Sequence, residues 1–218
     1  MQRVTTGVLK NGFRFYGHIH PSDHVSGVGV KVGSVHDPPG KSGLCHLTEH
    51  MVAHYSREEE LKWAAYARTQ ENVRVDRTST FYGHEEELLK RSYMWELFDI
   101  ITTHLRAPMI RQPGLIETEQ AAVRNEYFEH GIDTVSSTLE VLIHQGIYEQ
   151  NPVRNRIDCT EEDLQRITVA DVAHFIKTYH VANNMFAVIL GPSFQEIRET
   201  VERNFSDFPS RAVPPLPY

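Results

Sequence analysis

Cysteine is scarce in this chain: Cys45 and Cys159 are the only two in 218 residues. They form neither a metal-type pair nor a disulfide framework, which suits a reducing compartment. Runs of lysine or arginine are missing too. With 29 acidic against 22 basic residues and a formal charge of −7, no stretch is suited to tracking a phosphate backbone, so no nucleic-acid partner is expected. Long apolar runs are also absent. None approaches the roughly 18 residues of a membrane span, and Met1–Gly7 lacks the apolar core of a secretory signal, so the expectation is a cytoplasmic protein with no membrane partner. Gly27, Gly29 and Gly33 are spaced G-x-G-x-x-x-G but run into Ser34-Val35-His36-Asp37-Pro38-Pro39-Gly40 rather than a helix. A nucleotide-binding loop needs a helix N-terminus to receive its phosphates, and that reading is set aside.

What is present reads as strands followed by helices. Val4–Leu9 and Phe13–Ile19 flank Lys10-Asn11-Gly12, a strong hairpin signal, and Ser26–Ser34 alternates valines at a strand's period of two. The pattern turns helical from Gly43 and continues through Glu58 to Arg68. Asn72–Tyr82 then reads as one strand rich in β-prone side chains. Helices are expected over Glu85–Leu105, Pro113–Glu129 and Thr134–Tyr148, then after a capping box at Thr168, and finally over Gln195–Phe205, capped by Ser193. A buried strand, Met185–Leu190, lies between the last two. Without regular β-α alternation this predicts an α+β fold, an antiparallel or mixed sheet covered by helices. It is expected as one domain over 1–207 with a Pro-rich arm or linker over 208–218.

The stretch His46-Leu47-Thr48-Glu49-His50 carries the chemistry. On a helix, His46 and His50 are i and i+4, so both imidazoles project from one face and can converge on one metal ion. Glu49 lies at the edge of that face, where it can reach a water held by a metal without having to ligate the metal itself. This H-x-x-E-H order reverses the zincin H-E-x-x-H and keeps its mechanics. Zinc lowers the pKa of a water toward about 7, and the neighbouring glutamate takes the proton as a carbonyl is attacked. A hydrolytic zinc site needs a third protein ligand, and Glu119 and Glu126, seven apart on one helix face, are the candidates: one to ligate, one to support. A short His-rich pattern alone also fits a solvated helix face.

These residues resemble the inverzincin metallopeptidases, the family of pitrilysin, insulin-degrading enzyme and the mitochondrial processing peptidase. Glu126 stands 76 residues after His50 and seven after Glu119, which matches that family's third ligand and its preceding glutamate. Leu9-Lys10-Asn11-Gly12, Val32-Gly33-Ser34 with Asp37, Asn72-Val73 through Thr80-Phe81-Tyr82, Thr160-Glu161-Glu162 with Ile167-Thr168, and Asn184-Met185 to Gly191 extend the likeness over nearly the whole chain. The resemblance implies a zinc-dependent endopeptidase in which His46, His50 and Glu126 bind one zinc ion. Glu49 would be the general base and Glu119 an outer carboxylate that orients a ligand or stabilises the site. It implies that extended peptides add to the strand carrying Asn72, Val73, Arg74 and Tyr82, by the backbone pairing used in strand addition.

Two departures bear on substrate preference. Arg68-Thr69 stand where the family has a glycine pair, and Val73-Arg74 replace its smaller strand residues. The same resemblance implies a second, similar unit closing over the peptide, so the expected partner is a homodimer mate or a related chain that lacks the zinc motif. A non-catalytic binding or scaffold subunit and a zinc hydrolase of small molecules are the alternatives.

Overall fold

The computed structural model of the chain describes residues 4–20, 24–56, 58–59, 70–86, 91–129, 135–149, 151–154, 157 and 159–215. Among the described residues six strands form one mixed sheet: β1 (Val4–Val8), β2 (Arg14–Ile19), β3 (His24–Val30), β4 (Gln70–Val75), β5 (Thr80–Glu86) and β6 (Met185–Gly191). The order across the sheet is β1-β2-β6-β3-β5-β4. Every pairing is antiparallel except that of β2 with β6, where Arg14 lies opposite Phe186 and Ile19 opposite Gly191. Strand β4 ends the sheet, and its outer edge carries no further strand among the described residues.

Alternation sorts the two faces. Phe15, Val28, Val30, Tyr82, Met185, Ala187 and Ile189 point inward and are almost fully buried, each large aliphatic or aromatic side chain contributing about 1.5–3 kcal/mol. On the opposite face Gly27 and Gly29 leave room for the Phe81 and Phe186 rings. A Cβ at either glycine would fall within 2.2–2.3 Å of the ring tip, so these glycines make space for aromatics and not for phosphates.

The described helices are α1 (Leu44–Ala53), α2 (Arg91–Arg106), α3 (Leu115–Glu129), α4 (Val135–Ile147), α5 (Glu161–Arg166), α6 (Val169–Tyr179) and α7 (Phe194–Phe205). Two of the caps, on α6 and α7, are ones the sequence advertises. Thr168 accepts from the Asp171 backbone while the Asp171 carboxylate accepts from Thr168, and Ser193 accepts from Glu196. Thr160 caps α5, a short helix missing from the sequence reading, by accepting from the Asp163 backbone. The hairpin β1-β2 is locked to the end of α7 by Asn11, whose Nδ2 donates to the carbonyls of Phe205 at 2.6 Å and Phe208 at 3.1 Å. Beneath it, Phe13 stacks on Phe205 with ring centroids 3.9 Å apart.

Three expectations are corrected. The segment 72–82 is not one strand but the hairpin β4-β5. The turn holds because Asp76 donates its backbone N–H to the Ser79 carbonyl and its carboxylate accepts from Arg77, chemistry that needs neither glycine nor proline. The expected helical start at Glu85 is strand, because Glu85 and Glu86 continue the β3 ladder opposite Val25 and His24. The helix carrying the histidines stops at Ala53, where His54 turns extended at ψ 112°. Most of the continuation expected to Arg68, including Arg68-Thr69, lies outside the described residues. At the other end, Phe208 is buried in the core, and Ser210 and Arg211 are hydrogen-bonded to Asn183.

Candidate metal centre

The helix α1 is aimed by its first turn. Gly43 is its N-cap at φ +87°, and Asp37 accepts from the backbone N–H groups of Gly43 and Cys45, both at 2.8 Å. Burial pushes the Asp37 carboxyl up to about 7, against those two hydrogen bonds and with help from Asp163. Ser42 donates to Asp163 of α5, and Lys41 pairs with Asp171 of α6, so the loop before α1 is tied to both helices. The second helix of the site, α3, is held by Gln120, whose Nε2 donates to the carbonyls of Leu164 and Ile167.

With α1 and α3 so fixed, His46 Nε2, His50 Nε2 and Glu126 Oε2 converge. The two imidazole nitrogens are 3.3 Å apart, and the Glu126 oxygen is 3.4 Å from each. These three atoms are the one group of possible metal donors found among the described residues. The triangle fits a small tetrahedral ion: bonds of about 2.0–2.1 Å separate neighbouring ligand atoms by about 3.3–3.4 Å. Two imidazoles and a carboxylate are also a donor set that zinc takes in hydrolytic sites.

Glu49 stands just off this triangle, its Oε2 3.8 Å from His50 Nε2 and 4.0 Å from His46 Nε2. It is buried, and the loss of hydration raises its pKa despite the two nearby imidazoles. Glu126 is shifted the other way. Its hydrogen bond to His46 leads in holding the carboxyl below its ordinary value, against some desolvation. The two glutamates therefore divide into a carboxylate that stays ionised among the donors and a more basic one beside them, the separation by which acid–base roles are recognised.

Glu119 lies behind His50, with Oε2 at 3.3 Å from His50 Nδ1 and Oε1 at 2.8 Å from His54 Nδ1. Burial works against its ionised form, but the hydrogen bonds from His50 and His54 outweigh it and lower the pKa. His46 has no such support: its Nδ1 is buried without a partner among the described residues. His54 was not singled out by the sequence reading, although His46, His50 and His54 recur at intervals of four.

These groups line a cavity of 590 Å³ whose other wall is Val73, Arg74 and Val75 on β4, with Tyr55 and Ile157. The edge strand therefore lines the same cavity as the donor triangle, through Val73, Arg74 and Val75. The backbone of Asn72 pairs with Gly83 in the hairpin, and its side chain lies outside the described residues. Tyr82 is a correction. It is 1% exposed and belongs to the core, because strand alternation turns it to the inner face with Thr80, so it offers no surface to a ligand.

The fold and the site together define an α+β domain in which a helix-borne histidine pair and a glutamate from a second helix meet at one point. The family model described as Insulinase (Peptidase family M16) matches residues 18–161, and the one described as Peptidase M16 inactive domain matches 166–218. The chain belongs to peptidase family M16. All the residues of the donor cluster fall within the first match.

The chain is 22% identical over 213 residues to the mitochondrial-processing peptidase subunit alpha-1 of Dictyostelium discoideum, covering 95% of this chain and 32% of that protein. It is 20% identical over 225 residues to the probable mitochondrial-processing peptidase subunit alpha of Schizosaccharomyces pombe, covering 99% and 43%. It thus spans between about a third and under half of the curated relatives it matches. Among solved structures it superposes on the ferredoxin protease FusC in complex with Arabidopsis ferredoxin (TM-score 0.85, 20% identity, 100% of this chain and 25% of that one). It also superposes on pitrilysin (TM-score 0.83, 19% identity, 98% and 24%). At such identities these likenesses carry the fold.

Proposed function

We propose that the chain is the catalytic unit of a zinc-dependent endopeptidase that hydrolyses peptides or small unfolded proteins. The observation that carries this reading is the donor triangle of His46, His50 and Glu126 with Glu49 standing just outside it. A zinc ion held there by His46, His50 and Glu126 would supply Lewis acidity, bringing the pKa of a bound water toward about 7 and polarising a carbonyl. Glu49 then has two properties of a general base: its carboxylate faces the place where water is activated, and burial makes it a better proton acceptor than a solvated glutamate. Having taken the proton, it is placed to return it to the leaving amine. Glu126, kept ionised, would complete the ligand set, and Glu119 holds His50 from Nδ1, leaving Nε2 free to serve as a ligand.

The substrate is an extended peptide. Among the described residues no strand pairs with the outer edge of β4, which runs beside the donor triangle, and a peptide strand laid on it would place its carbonyls along the cavity. Exposed Arg74, lying over the Phe81 ring at 5.9 Å, adds a positive charge to that wall. The relatives are named as subunits, and this unit is a quarter to a half of the proteins it resembles. We therefore include in the proposal a facing unit, supplied by a second copy or by a related chain without the donor set, which closes the cavity against water.

Metal analysis with a mixed-peptide cleavage assay tests the reading. One zinc per chain is expected, with Glu126→Gln losing most of the metal. Glu49→Gln should keep the zinc and lose hydrolysis. Zinc loss in Glu49→Gln equal to that in His46→Ala would make Glu49 a ligand, and a chain that cannot be loaded with zinc at all would end the proposal. If a strictly monomeric chain cleaved peptides at full rate, the facing unit would be dispensable.

A further inference from the structure

We propose that His54 is a positioning residue for the metal centre, acting through Glu119 on His50. The inference rests on the metal-site reading above and adds to it a residue outside the H-x-x-E-H stretch. His54 follows the last residue of α1, four positions after His50, where the chain leaves the helix with φ −71° and ψ 112°. That turn keeps its imidazole beside α3, with Nδ1 2.8 Å from Glu119 Oε1. The other oxygen of the same carboxylate lies 3.3 Å from His50 Nδ1.

One buried carboxylate thus accepts from two imidazoles, one oxygen for each. For His50 Nε2 to offer its lone pair to an ion, the ring proton must sit on Nδ1, and Glu119 Oε2 holds it there. A carboxylate bonded through one oxygen pivots about that bond. Bonded through both, its plane is fixed, and with it the direction from which His50 is held. His46, whose Nδ1 has no partner among the described residues, gains nothing comparable, so the rigidity of the donor triangle depends on the His54–Glu119–His50 chain.

The test is zinc affinity by competition with a chromogenic chelator, with far-ultraviolet circular dichroism confirming the fold of each variant. His54→Leu keeps the bulk and removes the donor, and is expected to weaken zinc by about 10- to 100-fold, as outer partners of ligands commonly do. His54→Asn places an amide N–H where Nδ1 was and should restore wild-type affinity. In a Glu119→Gln background His54→Leu should add no further loss, because the two act as one chain. Wild-type affinity in His54→Leu would overturn the proposal, as would an equal loss with and without Glu119.

A measurement without any variant stands beside these. Long-range imidazole spectra of the zinc-loaded wild type should show the His54 proton on Nδ1, and a neutral ring protonated only on Nε2 would overturn the proposal. A wild type that binds no zinc fails the metal-site reading itself. One that binds zinc and ignores His54→Leu fails only this inference.

Discussion

Replacing Gly43 by alanine disturbs the first turn of α1, the helix that carries His46 and His50, in two separable ways. The residue sits at φ +87°, where an L side chain costs about 1–2 kcal/mol. The new Cβ would also fall 2.4 Å from Cys159 Cβ and 3.3 Å from its Cα, whereas non-bonded carbons rest at about 3.5–4.0 Å. Relief requires α1 or the segment before α5 to shift by about an ångström, and forced overpacking of this kind costs about 1–3 kcal/mol. The sum is a destabilisation of about 2–5 kcal/mol. Gly40 provides the control: its φ is +76°, and a Cβ there meets nothing within 4 Å, so Gly40→Ala carries only the backbone part. Urea denaturation of both variants isolates the contact contribution as their difference. Because the Gly43 carbonyl accepts from Leu47 and its N–H donates to Asp37, the shift reaches His46, and zinc affinity should fall in Gly43→Ala and hold in Gly40→Ala. Equal destabilisation by the two substitutions would refute the steric argument.

Two further outcomes follow from single residues. His180 is fully buried and its pKa is lowered to about 4 by desolvation, so between about 6.5 and 4 the unfolded chain binds a proton that the folded chain refuses, and folding stability falls as pH falls. His180→Phe should therefore gain on the wild type by roughly 1.4 kcal/mol per pH unit across that window, in denaturation curves of the metal-free chain; parallel pH profiles would contradict it. Thr168→Ala removes one half of the capping box on α6 and should cost about 1 kcal/mol, read as a lower denaturation midpoint at unchanged slope.

The parts of the site legible in the sequence were those governed by helical period. His46 and His50 share a face because they are four apart, and Glu119 and Glu126 because they are seven apart, and both relations survive folding unchanged. Legibility ended where pairing partners decide. Glu85 and Glu86 sit in a charged stretch beside Leu88 and Leu89 that counts as helix by spacing, yet β3 lies alongside and takes them into the ladder. The Asp76–Ser79 turn is closed by one backbone bond and one carboxylate, a signal too local to outweigh the β-prone residues around it. Tyr82 enters the expected site only through the family resemblance; the turn pairs it with Val73 on the inner face, where it is buried. His54 is the third of three histidines four apart, but its partner is 65 positions away on another helix, and nothing in that spacing names the partner.

The place of β6 in the middle of the sheet ties the site to the order in which the chain is made. Phe186 must reach Arg14 on one side and Gly29 on the other before the two halves of the sheet are joined. A ribosome delivers α1 and α3 long before β6, so the histidines and Glu126 are present while the floor they pack on is still split. Until then the edges of β2 and β3 stand open, a period of exposure to misassembly typical of sheets with distant pairings. It also follows that the gap between the two family matches, at residues 162–165, is no seam in the fold. Cutting the chain there would remove the central strand, and the piece that keeps every metal donor should be unable to hold them in place.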